Sequence, residues 1–252
     1  MQERRLAVQL YTLRDHMKTP DEIVKTLKRV RDMGYQGVEL AGLGPLTPHE
    51  IKSITDDLGL KICSTHISCE RVEKDPEGVL EEHRIYGCRY IGIAGLSDAY
   101  RSAEGYHNFA VTASRAGAAM AREGFVLIYH NHSFELERYG SRTGLDMIYE
   151  DSDPTALMAE IDTYWIQHGG ADPIRWINKL SGRLPVVHLK EMAVRGGESG
   201  IAEIGEGNLN WEGILSACRQ AEVDWYVVEQ DTNFLVDPFT SVQTSYDNLM
   251  RI

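Results

Sequence analysis

Several short apolar runs in this 252-residue chain end in side chains that ionise or bind metals. The run 36–41 carries Glu39, the run 60–66 ends in His66, and 125–131 ends in His130-Asn131-His132 with Glu135 just beyond. The run 157–162 closes on Glu160-Ile161-Asp162, 184–190 on His188-Leu189-Lys190, and 225–231 on Glu229-Gln230-Asp231. A buried, unpaired charge is costly, so burial alone does not account for apolar segments that repeatedly terminate this way. Asp162, His188 and Glu229 fall on consecutive runs, and their oxygen and nitrogen donors suit Mn2+, Mg2+, Co2+ or Zn2+. If the fold brings these ends together, the chemistry on offer is a Lewis-acidic ion on a substrate carbonyl, with His and carboxylate groups moving protons. Taken singly, each residue has a plainer role: a strand-end acid caps the next helix, and His66 is a hydrogen-bonded core histidine. His49, His83 and His107 lie in helix-like stretches and are read as solvated surface groups.

Such residues need a scaffold that delivers strand ends to one point. An amphipathic stretch, a Gly and a short apolar run recur at Met33-Gly34, Leu58-Gly59, Tyr86-Gly87 and Glu123-Gly124. Gly at the end of a helix supplies the left-handed residue that terminates it at little cost. The runs that follow are too short for helices and too apolar for surface strands, as parallel strands buried on both faces should be. Thr19-Pro20-Asp21-Glu22 and Thr47-Pro48-His49-Glu50 are capping boxes that start helices, and Asp172-Pro173, Asn210-Trp211 and Asp237-Pro238 read as further starts. The strand candidates are 6–11, 36–41, 60–66, 89–94, 125–131, 157–162, 184–190 and 225–231, each followed by a helix-compatible stretch, the weakest at 142–151. Strict βα alternation of this length predicts an α/β fold, a single (β/α)8 TIM barrel spanning residues 1–252 as one domain. An open dinucleotide-binding sheet would carry a Gly-rich loop after its first strand, and Tyr11-Thr-Leu-Arg-Asp15 is not one. In a barrel, chemistry belongs at the C-terminal strand ends, where the ionisable residues collect.

The balance of 26 Lys+Arg against 38 Asp+Glu gives a net charge of −12, which argues against nucleic-acid backbones as partners. No apolar run reaches the roughly 18 residues of a membrane span. Met1-Gln-Glu-Arg-Arg leads into Leu6-Ala-Val-Gln-Leu without a signal-peptide pattern, and Cys63, Cys69, Cys88 and Cys218 form no CxxC pair. A cytoplasmic protein with reduced thiols is expected. Barrels commonly form homo-oligomers, although no interface is legible in the pattern.

At the strand ends the sequence resembles the xylose-isomerase-like TIM-barrel superfamily, specifically its bacterial sugar phosphate isomerase/epimerase group. The resemblance covers essentially the whole chain. It rests on Tyr129-His-Asn-His-Ser-Phe-Glu135, Asp162-Thr-Tyr-Trp165 with Gly169-Gly-Ala-Asp-Pro173, His188-Leu-Lys-Glu191, Gly205-Glu-Gly207 with Trp211, and Val228-Glu-Gln-Asp231. It implies one divalent metal held by the ends of strands 5 to 8, and Asp162, His188 and Glu229 match three of the ligand positions. The fourth departs from the pattern: where many relatives have Glu, this chain has His130-Asn131-His132. His130 aligns with the ligand position, while His132 or Glu135 are the other ways to complete the sphere. The resemblance further implies that Glu229 is base as well as ligand, with Glu135 or His132 as partner acid/base, acting on a sugar or keto-sugar through an enediolate. Glu39, His66, Trp165 and Lys190 would line the sugar pocket. Loss of one carboxylate weakens the case for two-faced epimerisation, and β-elimination from a keto-sugar or keto-inositol is the alternative reaction. A catalytically degenerate sugar-binding barrel or partner subunit is the non-enzymatic one. An abasic-site endonuclease, which shares this barrel, should carry His three residues after Asp162, where this chain has Trp165.

Overall fold

The computed structural model describes residues 5–42, 44–232, 234 and 236–252. Eight parallel strands close into a barrel: Arg5–Gln9 (β1), Gly37–Ala41 (β2), Lys61–Ile67 (β3), Tyr90–Ile93 (β4), Val126–His130 (β5), Leu157–Asp162 (β6), Val186–Leu189 (β7) and Trp225–Val228 (β8). Each strand pairs with its neighbours in sequence, and β1 closes the ring against β8 with Arg5 opposite Trp225. Two antiparallel hairpins stand outside the ring, Arg138–Tyr139 with Arg142–Thr143 and Glu191–Arg195 with Glu198–Ala202.

The local signals act as their chemistry dictates. Thr19 and Thr47 form reciprocal capping boxes with Glu22 and Glu50, opening helices Pro20–Asp32 and Pro48–Asp57. Asp172, Asn210 and Asp237 cap helices Pro173–Lys179, Trp211–Gln220 and Pro238–Arg251. The weakest expected helix forms as Gly144–Asp151, because Thr143 and Asp146 supply a capping box of their own.

Six of the eight strands are shorter than expected, and at β1, β7 and β8 the chain leaves the ladder early at its C-terminal end. Residues Leu10–His16 leave β1 in a 3-10 turn, and Lys190 and Glu229–Asp231 lie beyond β7 and β8. Side-chain hydroxyls take over where the ladder stops: the Lys190 amide donates to Thr163 Oγ1 at 2.9 Å and the Gln230 amide to Thr12 Oγ1 at 3.1 Å. His83, expected on the surface, is buried between the Thr65 hydroxyl (2.8 Å) and the Val79 carbonyl (2.7 Å), and burial lowers its pKa. Two polar partners cover both ring nitrogens, which is what makes its burial tolerable. His49 is exposed, and His107 is exposed against Asp151 at 2.9 Å. All four cysteines are buried, free thiols.

Along each strand alternate side chains face the barrel axis. Ala7, Cys63, Tyr90, Ile128, Val186, Trp225 and Val227 pack together as an apolar plug inside the ring, separate from the larger core beneath the helices. Polar residues occupy the next level toward the C-terminal rim. On β4 that level holds Gly92, where an added methyl would press on the Thr65 carbonyl and lie 3.2 Å from the His66 ring. Gly92→Ala is therefore expected to destabilise the fold by about 1–3 kcal/mol, the usual cost of overpacking. Denaturant melts check this, and unchanged stability would show that the space beside His66 is not tightly filled.

Candidate metal centre

Register and alternation set the site. His130 lies beside Glu160 on β5 and β6, Asp162 beside His188 on β6 and β7, and Gln9 beside Glu39 on β1 and β2. All of these side chains are at least nine-tenths buried. His188 Nε2 stands 2.8 Å from Glu39 Oε1, and its Nδ1 lies 3.0 Å from Glu229 Oε2 and 4.0 Å from Asp162 Oδ2. His66 Nε2 meets Glu160 Oε2 at 2.7 Å and Glu39 Oε1 at 3.1 Å. Lys190 Nζ donates to Glu229 at 3.0 Å and Asp231 at 2.6 Å, and lies 3.7 Å from Asp162. Gln9 Nε2 and Ser64 Oγ both donate to Glu39.

Charge sets the protonation of the layer. Burial and the neighbouring Glu160 raise the pKa of Glu39. Burial opposes ionisation of Glu160, but His188 and His66 outweigh it and hold its pKa well below the usual range. Burial likewise opposes ionisation of Glu229, and Lys190 and His188 prevail, keeping it a carboxylate. Burial, with the Glu229 charge, pushes Asp162 up to about 7 against the pull of Lys190. His188 is raised well above its ordinary value, since Glu39 and Glu160 overcome the burial penalty, and His66 is raised for the same reasons. Burial and the positive neighbours His188 and His66 leave His130 well below its ordinary value. Burial and Lys190 bring His132 down to about 4.

The residues expected to hold a metal come together: ligand atoms of His130, Asp162, His188 and Glu229 all lie within 4.8 Å of one another. The donor set fits a divalent ion, being imidazole nitrogen and carboxylate oxygen. Buried His130 Nδ1, Glu160 Oε1 and Asp162 Oδ2 have no hydrogen-bond partner, although buried polar atoms are nearly always paired. Asp231, Glu229 and Asp162 crowd the single Lys190 at 2.6, 3.0 and 3.7 Å, so a divalent ion beside them would relieve their mutual repulsion. Behind the ligands, Glu39 accepts from His188 Nε2, which leaves Nδ1 turned toward Asp162 and Glu229. A carboxylate placed behind a ligating histidine fixes its tautomer and its orientation.

The other expected residues divide. His66, His130, His132, Lys190 and Glu229 line a cavity of about 710 Å³ together with Leu10, Tyr11 and Met17. Trp165 sets its ring 5.2 Å from Lys190 Nζ and 5.3 Å from His132. Glu39, expected in the sugar pocket, does not line this cavity and lies fully buried behind His66 and His188. Glu135 stands apart from the cluster, accepting from the Tyr129 hydroxyl at 2.5 Å and the His132 amide at 2.9 Å. It thereby pins the turn after β5, and burial raises its pKa to about 7. Glu160 lies outside the expected ligand set, yet it joins His66, His130 and His188 in the same cluster. Its position two residues before Asp162 on one strand, hence on the same face, is the signal that marks it. Gln9, Ser64 and Gly92 carry no such signal, because their part depends on the register between strands.

Fold and site define a closed parallel barrel with a buried cluster able to bind a divalent ion at its C-terminal rim. The chain belongs to the xylose isomerase-like TIM barrel family, whose model matches residues 27–246. It is 23% identical over 237 residues to an inosose dehydratase of Lacticaseibacillus casei, covering 79% of this chain and 78% of that protein. Among solved structures it resembles a sugar phosphate isomerase/epimerase of Parabacteroides distasonis, with TM-score 0.83, 24% identity and 99% of each chain covered. It also resembles a probable 3-DHS dehydratase of Bacillus anthracis, with TM-score 0.75, 16% identity and 98% of each chain covered. No helix among the described residues is long and apolar enough to cross a membrane.

Two expectations follow from the electrostatics. His188 carries a proton that an ion must displace, so Mn2+ affinity should rise with pH and binding should release protons, as calorimetry in buffers of different ionisation enthalpy would show. Asp162→Ala should lose Mn2+, and Glu39→Gln should bind it roughly 10–100-fold more weakly; parental affinity in both would contradict the ligand geometry. Glu135 gives a second, independent signature. Its pKa is raised on folding, so the stability it contributes is complete below about 4.5 and is lost as pH rises through about 7. That window corresponds to on the order of 3 kcal/mol. Unfolding of Glu135→Gln should therefore lose less stability between pH 5 and pH 8 than the parent, and parallel profiles would contradict it.

Proposed function

We propose that the chain is a divalent-metal-dependent enzyme that removes the proton next to the carbonyl of a sugar or keto-sugar, in the manner of an isomerase or epimerase. The observation that carries this reading is Glu229, an ionised carboxylate held in place by Lys190 and His188 at the wall of the cavity. A divalent ion held by His130, Asp162, His188 and Glu229 would supply Lewis-acid polarisation of the carbonyl and so acidify the adjacent C–H. Glu229 takes that proton. Lys190, which stays cationic because Glu229, Asp162 and Asp231 outweigh its burial, keeps positive charge beside the oxygen on which negative charge develops. Glu229 returns that proton to the neighbouring carbon, while His132, neutral and lining the same cavity, can take the hydroxyl proton and pass it to the carbonyl oxygen. Leu10, Tyr11 and Met17 line the same cavity and would limit water around the reacting carbon.

Loss of water from the same enediolate is the second reading, and two observations favour it. The first is that the inosose dehydratase and the probable 3-DHS dehydratase are both named as dehydratases. The second is the imidazole of His130 where two-faced epimerisation would want a second carboxylate. Elimination needs one base and one acid, and His66, whose pKa Glu39 and Glu160 raise against burial, lines the cavity as the acid for a departing hydroxide.

One experiment tests both. Candidate ketoses, aldoses and keto-cyclitols are incubated with the Mn2+-loaded protein in deuterated water. Deuterium next to the carbonyl with no loss of water marks isomerisation or epimerisation, and an unsaturated ketone marks elimination. Glu229→Gln should lower the exchange rate by ~10²–10⁴, the worth of a positioned base. Exchange at the parental rate in that variant would remove Glu229 as the base.

A further inference from the structure

His130 and His188 each turn their two ring nitrogens toward different carboxylates. On the outer side, His188 Nδ1 and His130 Nε2 each lie 4.0 Å from Asp162 Oδ2, with Glu229 alongside. On the inner side, His188 Nε2 lies 3.5 Å from Glu160 Oε1 and His130 Nδ1 lies 3.7 Å from Glu160 Oε2, with His66 Nε2 at 2.7 Å from the latter oxygen; an ion there would displace the 2.8 Å bond of His188 Nε2 to Glu39. His66, His130, Glu160 and His188 thus form a second group whose ligand atoms all lie within 4.8 Å of one another. His130 Nδ1 and Glu160 Oε1, on fully or almost fully buried side chains, face into this inner group and have no hydrogen-bond partner.

We infer that the centre offers two alternative seats for a single divalent ion, an inner seat of His66, His130, Glu160 and His188 beneath the outer seat of His130, Asp162, His188 and Glu229. The seats exclude one another because a neutral imidazole has one lone pair in its plane: the nitrogen that binds the ion leaves the other carrying N–H. Filling both would require a second proton to leave each ring. The donors also differ. Three imidazoles and one carboxylate suit four-coordinate Zn2+ or Co2+. Two imidazoles and two carboxylates suit Mn2+ or Mg2+, which retain water or substrate oxygens. An ion in the inner seat draws His130 and His188 away from the outer one, so Zn2+ competes with Mn2+ without taking its place. This holds whether or not the proposed reaction is correct, since the readout is binding.

The test is calorimetric titration of metal-free protein with Zn2+ and with Mn2+, on the parent, His66→Gln and Asp162→Asn. Parent protein should bind one ion per chain of either metal. His66→Gln should lose at least tenfold in Zn2+ affinity and stay within threefold for Mn2+, and Asp162→Asn should do the reverse. Equal losses for both ions in either variant, or two tightly bound Zn2+ per chain, would overturn the two-seat arrangement. X-ray absorption of the Zn2+-loaded parent gives the same answer without relying on a variant that folds. Three imidazoles around zinc are expected, and two imidazoles with two carboxylates would place zinc in the outer seat and overturn the inference.

Discussion

The constraint on which the rest of the structure depends is charge balance in one buried polar layer. Glu39, Glu160, Asp162 and Glu229 are enclosed above the apolar plug of the barrel, with His66, His130, His188 and Lys190 as their counterparts. Any one of these carboxylates alone would be prohibitively costly to bury, and a closed ring of strands is what lets each meet a partner from another strand. The pairs cross the ring: His188 from β7 reaches Glu39 from β2, and His66 from β3 reaches Glu160 from β6. Closure of the barrel and assembly of the site are consequently one event. The plug beneath supplies the fixed floor, and the helices, capped by side chains that match their ends, supply the outer wall.

The same layer explains why the chemistry is directional. Glu39 and Glu160 lie behind the histidines, away from the cavity, whereas Glu229, Lys190 and His132 stand at its wall. Groups behind the wall govern which nitrogen of each imidazole is available, and groups at the wall are left to meet a substrate. Tuning of this kind, by partners rather than by exposure, gives neighbouring carboxylates opposite behaviour: Asp162 is pushed up to about 7 while Glu229 is held down. Lys190 touches both, and the closer contact, 3.0 Å to Glu229 against 3.7 Å to Asp162, decides which one it stabilises more.

Much of this was legible in the amino-acid sequence. The capping boxes at Thr19 and Thr47 and the Gly-terminated helices mark where strands must begin, and their alternation leads to the barrel. The rule that chemistry gathers at C-terminal strand ends then singles out Asp162, His188 and Glu229, and the family resemblance adds His130, with His132 and Glu135 as alternatives; the structure brings ligand atoms of His130, Asp162, His188 and Glu229 together. What escaped depends on contacts between strands. Glu39 sits on an inward-facing position, yet only the side-by-side pairing of Gln9, Glu39 and Ser64 shows that it lies behind the histidines and not in the cavity. His83 follows a helical pattern that looks solvated, and only the neighbouring strand, through Thr65, reveals its burial. Glu135 follows a histidine-rich strand end and invites a catalytic role, whereas the tertiary contact with Tyr129 turns it away from the cluster. Sequence spacing records which face a residue takes, but not which residue of the next strand stands opposite.

The central claim is that the buried cluster is a metal centre built on His130, Asp162, His188 and Glu229. Anomalous diffraction at the manganese edge, from crystals of the unmodified chain grown with Mn2+, addresses it most directly. The account predicts one strong peak within about 2.0–2.2 Å of ligand atoms from all four residues. A peak more than about 5 Å from both Asp162 and Glu229, well beyond such ligand distances, or no peak at saturating Mn2+, would contradict it.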